Sequence, residues 1–197
     1  MNTFKSFFVL IAMSLTTVLV GQATINPAIQ ATLDGFVEAS NNGDWDKAFD
    51  YMYPKMFEQV SKQDLVDLMK STQEDGMSIS MDNVKITSTS VPMEENGETF
   101  VRVEYAFDME VDIAAGGIYD HPKATMGMEQ QFQTLYGASN VKWDESGKEF
   151  NVRARKSMMA INSGDDVWKM VEINTDQTAL MEHLFPASVL QALVNVE

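Results

Sequence analysis

The sequence predicts an α+β domain: N-terminal helices packed on a strongly curved antiparallel sheet, with a short helix inserted between strands and a helical C-terminus. Three observations carry this. Apolar residues recur at helical spacing from Ile25 to about Gln73. From Met77 the period drops to two, most clearly in FVRVEYAFDMEVDI (Phe100 to Ile113), where Val101, Val103, Tyr105, Phe107, Met109, Val111 and Ile113 alternate with mostly acidic residues. Helical spacing returns at Leu180, Leu184 and Phe185. The alternating stretch is about twice the usual strand length of five or six residues, and strands that long bend or wrap a core.

The first residues stand apart. Lys5 is the lone charge before Asp34, and FFVLIAMSLTTVLVG (Phe7 to Gly21) is an unbroken apolar and small-residue run ending in a small-x-small exit, Gly21-Gln22-Ala23. That is the anatomy of a secretory signal peptide. The reading is a leader over residues 1–23, one domain over 24–197, and export to a periplasmic or extracellular space. No later segment is apolar enough to span a membrane.

Ile25 to Asn42 reads as a first helix with Ile29, Leu33, Phe36 and Val37 on one face. Asp44 is an N-cap for a short second helix carrying Trp45, Ala48, Phe49 and Met52, closed by Pro54. Ser61 and Asp64 resemble a capping box opening a third helix, whose apolar face is Leu65, Leu68 and Met69. Met77, Ile79 and Met81 then alternate in one phase and Val84 and Ile86 in the other, which places a bulge near Asp82-Asn83. Glu95-Asn96-Gly97-Glu98 marks a hairpin between this strand and the long one. Met128, Phe132, Leu135 and Tyr136 give the inserted helix, ended by Gly137. Short strands follow at Val141 to Trp143, from Phe150 to Ile161, and at Val167 to Ile173. The C-terminal helical spacing is interrupted by Pro186, so the chain ends in one kinked helix or two short ones.

Composition excludes several functions. A formal net charge of −15 argues against nucleic acid and anionic membrane as partners. Zero cysteines remove disulfides, thiolate metal sites and thiol nucleophiles. Fifteen methionines suit an adaptable core or a greasy pocket. Met126/Met128 and Met158/Met159 lack the His-rich partners of a copper site, and no metal-binding spacing, nucleophile elbow or phosphate-cradling loop occurs. Neither a metal nor a cofactor is expected. His121, beside Asp120, is read as an exposed loop residue and His183 as a helix-edge one.

The segment LDGFVEASNNGDWDKAFDYMYP (Leu33 to Pro54) resembles the opening of the nuclear transport factor 2-like superfamily. Gly43-Asp44-Trp45, Ala48-Phe49, Tyr51 and Pro54 carry the match, and the closing VWKMVEIN (Val167 to Asn174) is similar to that superfamily's Trp-containing strand. The segment Tyr119 to Gly137 and the helix beyond Asn174 depart from the compact pattern. The resemblance implies a cone-shaped half-barrel enclosing a pocket, in isomerases, dehydratases, cyclases and non-catalytic binding domains alike.

In enzymes of that fold, polar groups project into the cone. The long strand offers only Tyr105 on its apolar side, while Glu104, Asp108, Glu110 and Asp112 share the opposite face, where Arg153 and Arg155 are placed to pair with them across strands. The expectation is therefore a non-catalytic domain holding a small apolar ligand or a protein partner. Trp45, Phe49, Tyr53, Phe57, Tyr105, Phe107, Met109 and Trp168 are the pocket candidates, with no catalytic residue assigned. The alternative is a cofactor-independent lyase or isomerase, which needs Tyr105 or Tyr53 beside a buried Asp or His.

Overall fold

The computed structural model describes residues 25–194 apart from 114–116, 118, 166 and 175. The leader expected over residues 1–23 therefore lies outside the described residues. Helix α1 (Pro27–Asn41) starts two residues later than its apolar spacing suggests, because Asn26 caps it by accepting from the Ala28 N–H at 2.9 Å and Pro27 fills the first turn. Asp44 caps α2 (Trp45–Asp50) through the Lys47 N–H at 3.2 Å. Pro54 closes that helix by starting a 3-10 turn, Pro54–Glu58.

Ser61 caps α3 (Lys62–Glu74) through the Asp64 N–H. Its buried seam differs from the one expected. Val66 is fully buried between Leu65 and Met69, whereas Leu68 is 59% exposed. The helix packs mainly on α2, with Ala39 and Phe36 of α1 and Phe57 in the same cluster, and the hydrogen bond from Trp45 Nε1 to Gln73 Oε1 (3.1 Å) fixes its rotation.

The sheet is antiparallel and open. Its strands are β1 (Ser78–Thr89), β2 (Met93–Glu95), β3 (Glu98–Asp112), β4 (Val141–Asp144), β5 (Glu149–Asn162) and β6 (Trp168–Glu172). The long stretch singled out by its alternation is β3, the centre of the sheet. It pairs with β5 along its whole length on one side and with β1 and β2 in succession on the other. The register slips between Asp82 and Lys85, where Asn83 takes φ 53°, so the expected bulge is present. The Asn96-Gly97 turn, with φ 54° and 82°, joins β3 to the short β2; the Ser90–Pro92 break separates β2 from β1. Beyond β5, the two ends of its outer edge are taken by β4 and β6.

On the face bearing Val101 to Ile113, α1 covers Val101, Val103, Met158 and Ala160. Helix α4 (Pro122–Tyr136) covers Val111, Phe150 and Val152 with Met128, Phe132 and Tyr136. Leu135, expected on that side, is 55% exposed. Gly137 ends α4 at φ 88°. The reverse face is bare and charged only in part. Helices α5 (Thr178–Leu184) and α6 (Ala187–Val194) lay Met181, Leu184, Phe185 and Val189 over Phe100, Met159 and Ile161. They are two helices because Phe185, before Pro186, is extended at φ −122°, ψ 143°. No helix among the described residues is long and apolar enough to cross a membrane.

Candidate functional site

The eight aromatic and methionine candidates do not converge on one cavity. Trp45, Phe49 and Phe57 pack together between α2 and α3, with ring centroids 6.2 and 6.4 Å apart. Tyr53 lies in the cluster under α5 and α6, and Trp168 packs on the cluster beneath α1. Phe107 and Met109 line the α4 side of the sheet, where Tyr105 stacks on Phe107 at 5.5 Å.

Tyr53 is the tyrosine that meets a carboxylate. Its hydroxyl donates to both oxygens of Glu98 at 3.0 Å, and burial, first of several influences, raises its pKa. Glu98 also accepts from Ser163 (3.0 Å) and lies 3.8 Å from Lys55 Nζ. Glu98 is thus fully engaged in tying the start of β3 to the end of β5 and to the 3-10 turn, and holds nothing in reserve for a substrate.

The inward face carries a polar group that the long strand alone does not reveal. Tyr105 is the cross-strand partner of Lys156. Glu172 is opposite Met158, two residues along β5, so its side chain shares that face. Lys156 Nζ donates to Glu172 Oε1 at 2.8 Å and stands 5.1 Å from the Tyr136 ring centroid. Burial pushes Tyr105 well above the usual tyrosine range, helped by the Glu172 carboxylate and then by Tyr136. Burial also raises Tyr136; Lys156 opposes and Glu172 reinforces the rise. Lys156 and Glu172 were legible as interruptions: Val152, Ala154, Lys156, Met158 is an apolar alternation broken by a cation, and Trp168, Met170, Glu172 one broken by an anion.

This arrangement predicts an alkaline titration. Tyr53, Tyr105 and Tyr136 should form tyrosinate only above the ordinary pKa of about 10, and Tyr105→Phe should remove a late step from the absorbance curve. Because the folded pKa lies above the unfolded one, the neutral hydroxyls contribute stability that is complete below about pH 10. It is lost as the pH rises from there through the folded pKa. A curve unchanged by Tyr105→Phe at its late end would contradict this placement.

Beside the cluster, Tyr136 also borders a half-open cavity of ≈430 Å³ with Phe107, Leu135, Ala154, Arg153 and Arg155. Of the two expected ion pairs, Arg153 lies 3.8 Å from Asp108, whereas Arg155 is opposite Ala106 and makes no ion pair with a described residue. Glu104 instead accepts from Ser157 and from Arg102 Nε. A second groove, ≈460 Å³, runs between Ser88–Val91 and Leu193. The histidines are structural: His121 Nδ1 caps α4 by accepting from the Lys123 N–H, Asp120 pairs with Lys148, and His183 contacts Glu58 at 3.1 Å. No three His, Asp or Glu among the described residues are grouped to hold a metal ion.

No family model and no curated protein matches this chain. Among solved structures, the intermembrane space region of the chloroplast protein ARC6 aligns at 8% identity with TM-score 0.34, over 74% of this chain and 92% of that one. An uncharacterized protein with a cystatin-like fold from Caulobacter vibrioides aligns at 10% identity with the same TM-score, over 84% and 96%. These likenesses are too loose to carry a functional argument.

Proposed function

We propose that the chain is an exported, non-catalytic binding domain of nuclear transport factor 2-like ancestry that holds a small, largely apolar ligand. One observation carries the reading: on the inward face the cation and the anion neutralise each other, Lys156 to Glu172 at 2.8 Å, while a half-open cavity of mixed apolar and polar lining stands next to them. A lyase or isomerase needs a free acid or base poised over its substrate. Here the tyrosines are held protonated and the charges are spent on one another. A cavity of this size, lined by apolar side chains and by a few convergent polar ones, Asp108, Arg153 and Arg155 among them, suits a small molecule.

Native mass spectrometry of the protein purified from its own cell envelope tests this. The expected spectrum shows a non-covalent adduct of small-molecule mass that is lost on mild activation and whose removal lowers the Tm. A bare polypeptide mass, with a Tm unmoved by denaturing extraction and refolding, would sink the ligand-binding reading.

A further inference from the structure

The outer edge of β5 is paired at both ends, and among the described residues no strand pairs with its middle. Strand β4 pairs as far as Val152, and β6 begins at Met158. The Ser157 carbonyl accepts from the Ile173 N–H at 2.9 Å, so the Ser157 backbone groups point outward from β3. Hydrogen-bonding direction alternates along a strand, so the N–H and C=O groups of Arg155 and Arg153 point the same way, into the gap.

The cavity of ≈430 Å³ borders this gap, and its lining has two parts. Leu135 and Tyr136 are its apolar border at the end of α4, Phe107 and Ala154 border it with side chains buried on the inward face, and Arg153 and Arg155 supply charge from the reverse face of β5. Asp108 borders it too, but one of its oxygens accepts from Asn83 at 2.8 Å and the other stays 3.8 Å from Arg153. Arg153 is therefore only loosely paired and Arg155 has no ion-pair partner among the described residues, in a protein whose formal charge is −15. Two arginines against one carboxylate in the lining, outward backbone N–H donors and the apolar side chains of Leu135 and Tyr136 together match an amphipathic anion.

We infer that this cavity binds a small organic carboxylate with an apolar tail. The carboxylate bridges Arg155 and Arg153, with a backbone N–H of the β5 gap as a further donor, and the tail passes round the unpaired edge of β5 onto Leu135 and Tyr136. Guanidinium suits a carboxylate because its fork of N–H groups matches the two oxygens. This rests on the ligand-binding reading above and gives it a chemical class.

Octanoate and octanol, equal in tail and different in charge, separate the possibilities. In titrations followed by backbone amide resonances, octanoate should shift Arg153, Arg155 and Phe107 and bind about tenfold tighter than octanol. Arg155→Gln should weaken octanoate by about tenfold and leave octanol unchanged, and raised salt should narrow the difference between the two probes. Arg155 is exposed, so the variant should keep the wild-type Tm; Arg153→Gln is the second variant, with the same direction of effect. Equal affinity for both probes, shifts elsewhere, or indifference to both substitutions overturns the carboxylate site while leaving the binding-domain reading intact. If neither probe binds, the carboxylate site fails; a bare mass in the native spectrum would then remove the broader reading as well.

Discussion

Phe150→Ala is expected to destabilise the domain by about 3–5 kcal/mol, the range for deleting a buried aromatic ring. Phe150 has no exposed surface and joins three elements. Its ring meets Trp143 of β4 at 4.6 Å and Phe132 of α4 at 5.2 Å, edge-on. Behind it, Val111 of β3 is its cross-strand partner. Removing the ring takes away apolar burial and the edge contacts together, and α4 has little else to hold it, since none of its described residues is fully buried. Thermal unfolding should show a Tm fall of roughly 6–20 °C for a domain of this size. Amide exchange should speed up first in α4. A loss under 1 kcal/mol would mean that the helix does not depend on this anchor.

Phe100→Ala should cost a similar amount, about 3–5 kcal/mol, but at the other end and on the reverse face. Phe100 is fully buried and stacks edge-on to Phe185 at 6.4 Å, where the chain passes from α5 to α6. The two C-terminal helices are seven and eight residues long, too short to persist without a surface beneath them. Their release should therefore accompany the loss of stability. Limited proteolysis is expected to cut after residue 174 in the variant and to spare the wild type. Phe100 and Phe150 belong to separate packing clusters, so the double variant should lose the sum of the two effects. Intact C-terminal helices in Phe100→Ala would show that they are held from elsewhere.

Most of the architecture was legible because it depends on local patterning. The period-two run of β3, the caps at Asp44 and Ser61 and the phase change before Val84 each have one physical solution, and the fold adopts it. What patterning could not supply was the partner of each face. Val66 rather than Leu68 is buried in α3 because that helix is covered on one side only, chiefly by α2, and one-sided cover leaves a narrow seam. Phe100 looked like the start of the apolar run but sits on its reverse side, beneath helices contributed from about eighty residues later, a long-range packing that local periodicity does not register. The candidate site was half visible. Tyr105 stood out in its own strand, while Lys156, Glu172 and Tyr136 join it only once β5, β6 and α4 are brought together.

The bulge at Asp82–Lys85 also bears on how the molecule behaves among copies of itself. Strand β1 ends the sheet, and a flat edge of twelve residues would invite another chain to pair with it. Two irregularities, at Asp82–Lys85 and Ile86–Ser88, break the ladder into short runs, and Lys85 puts a charge beside the longer interruption. At Met81 the side-chain amide of Asn41 takes both backbone groups, N–H and C=O, at 2.8 Å each, where a neighbouring strand would otherwise dock. The exposed border of the sheet is thereby made a poor template for a further strand.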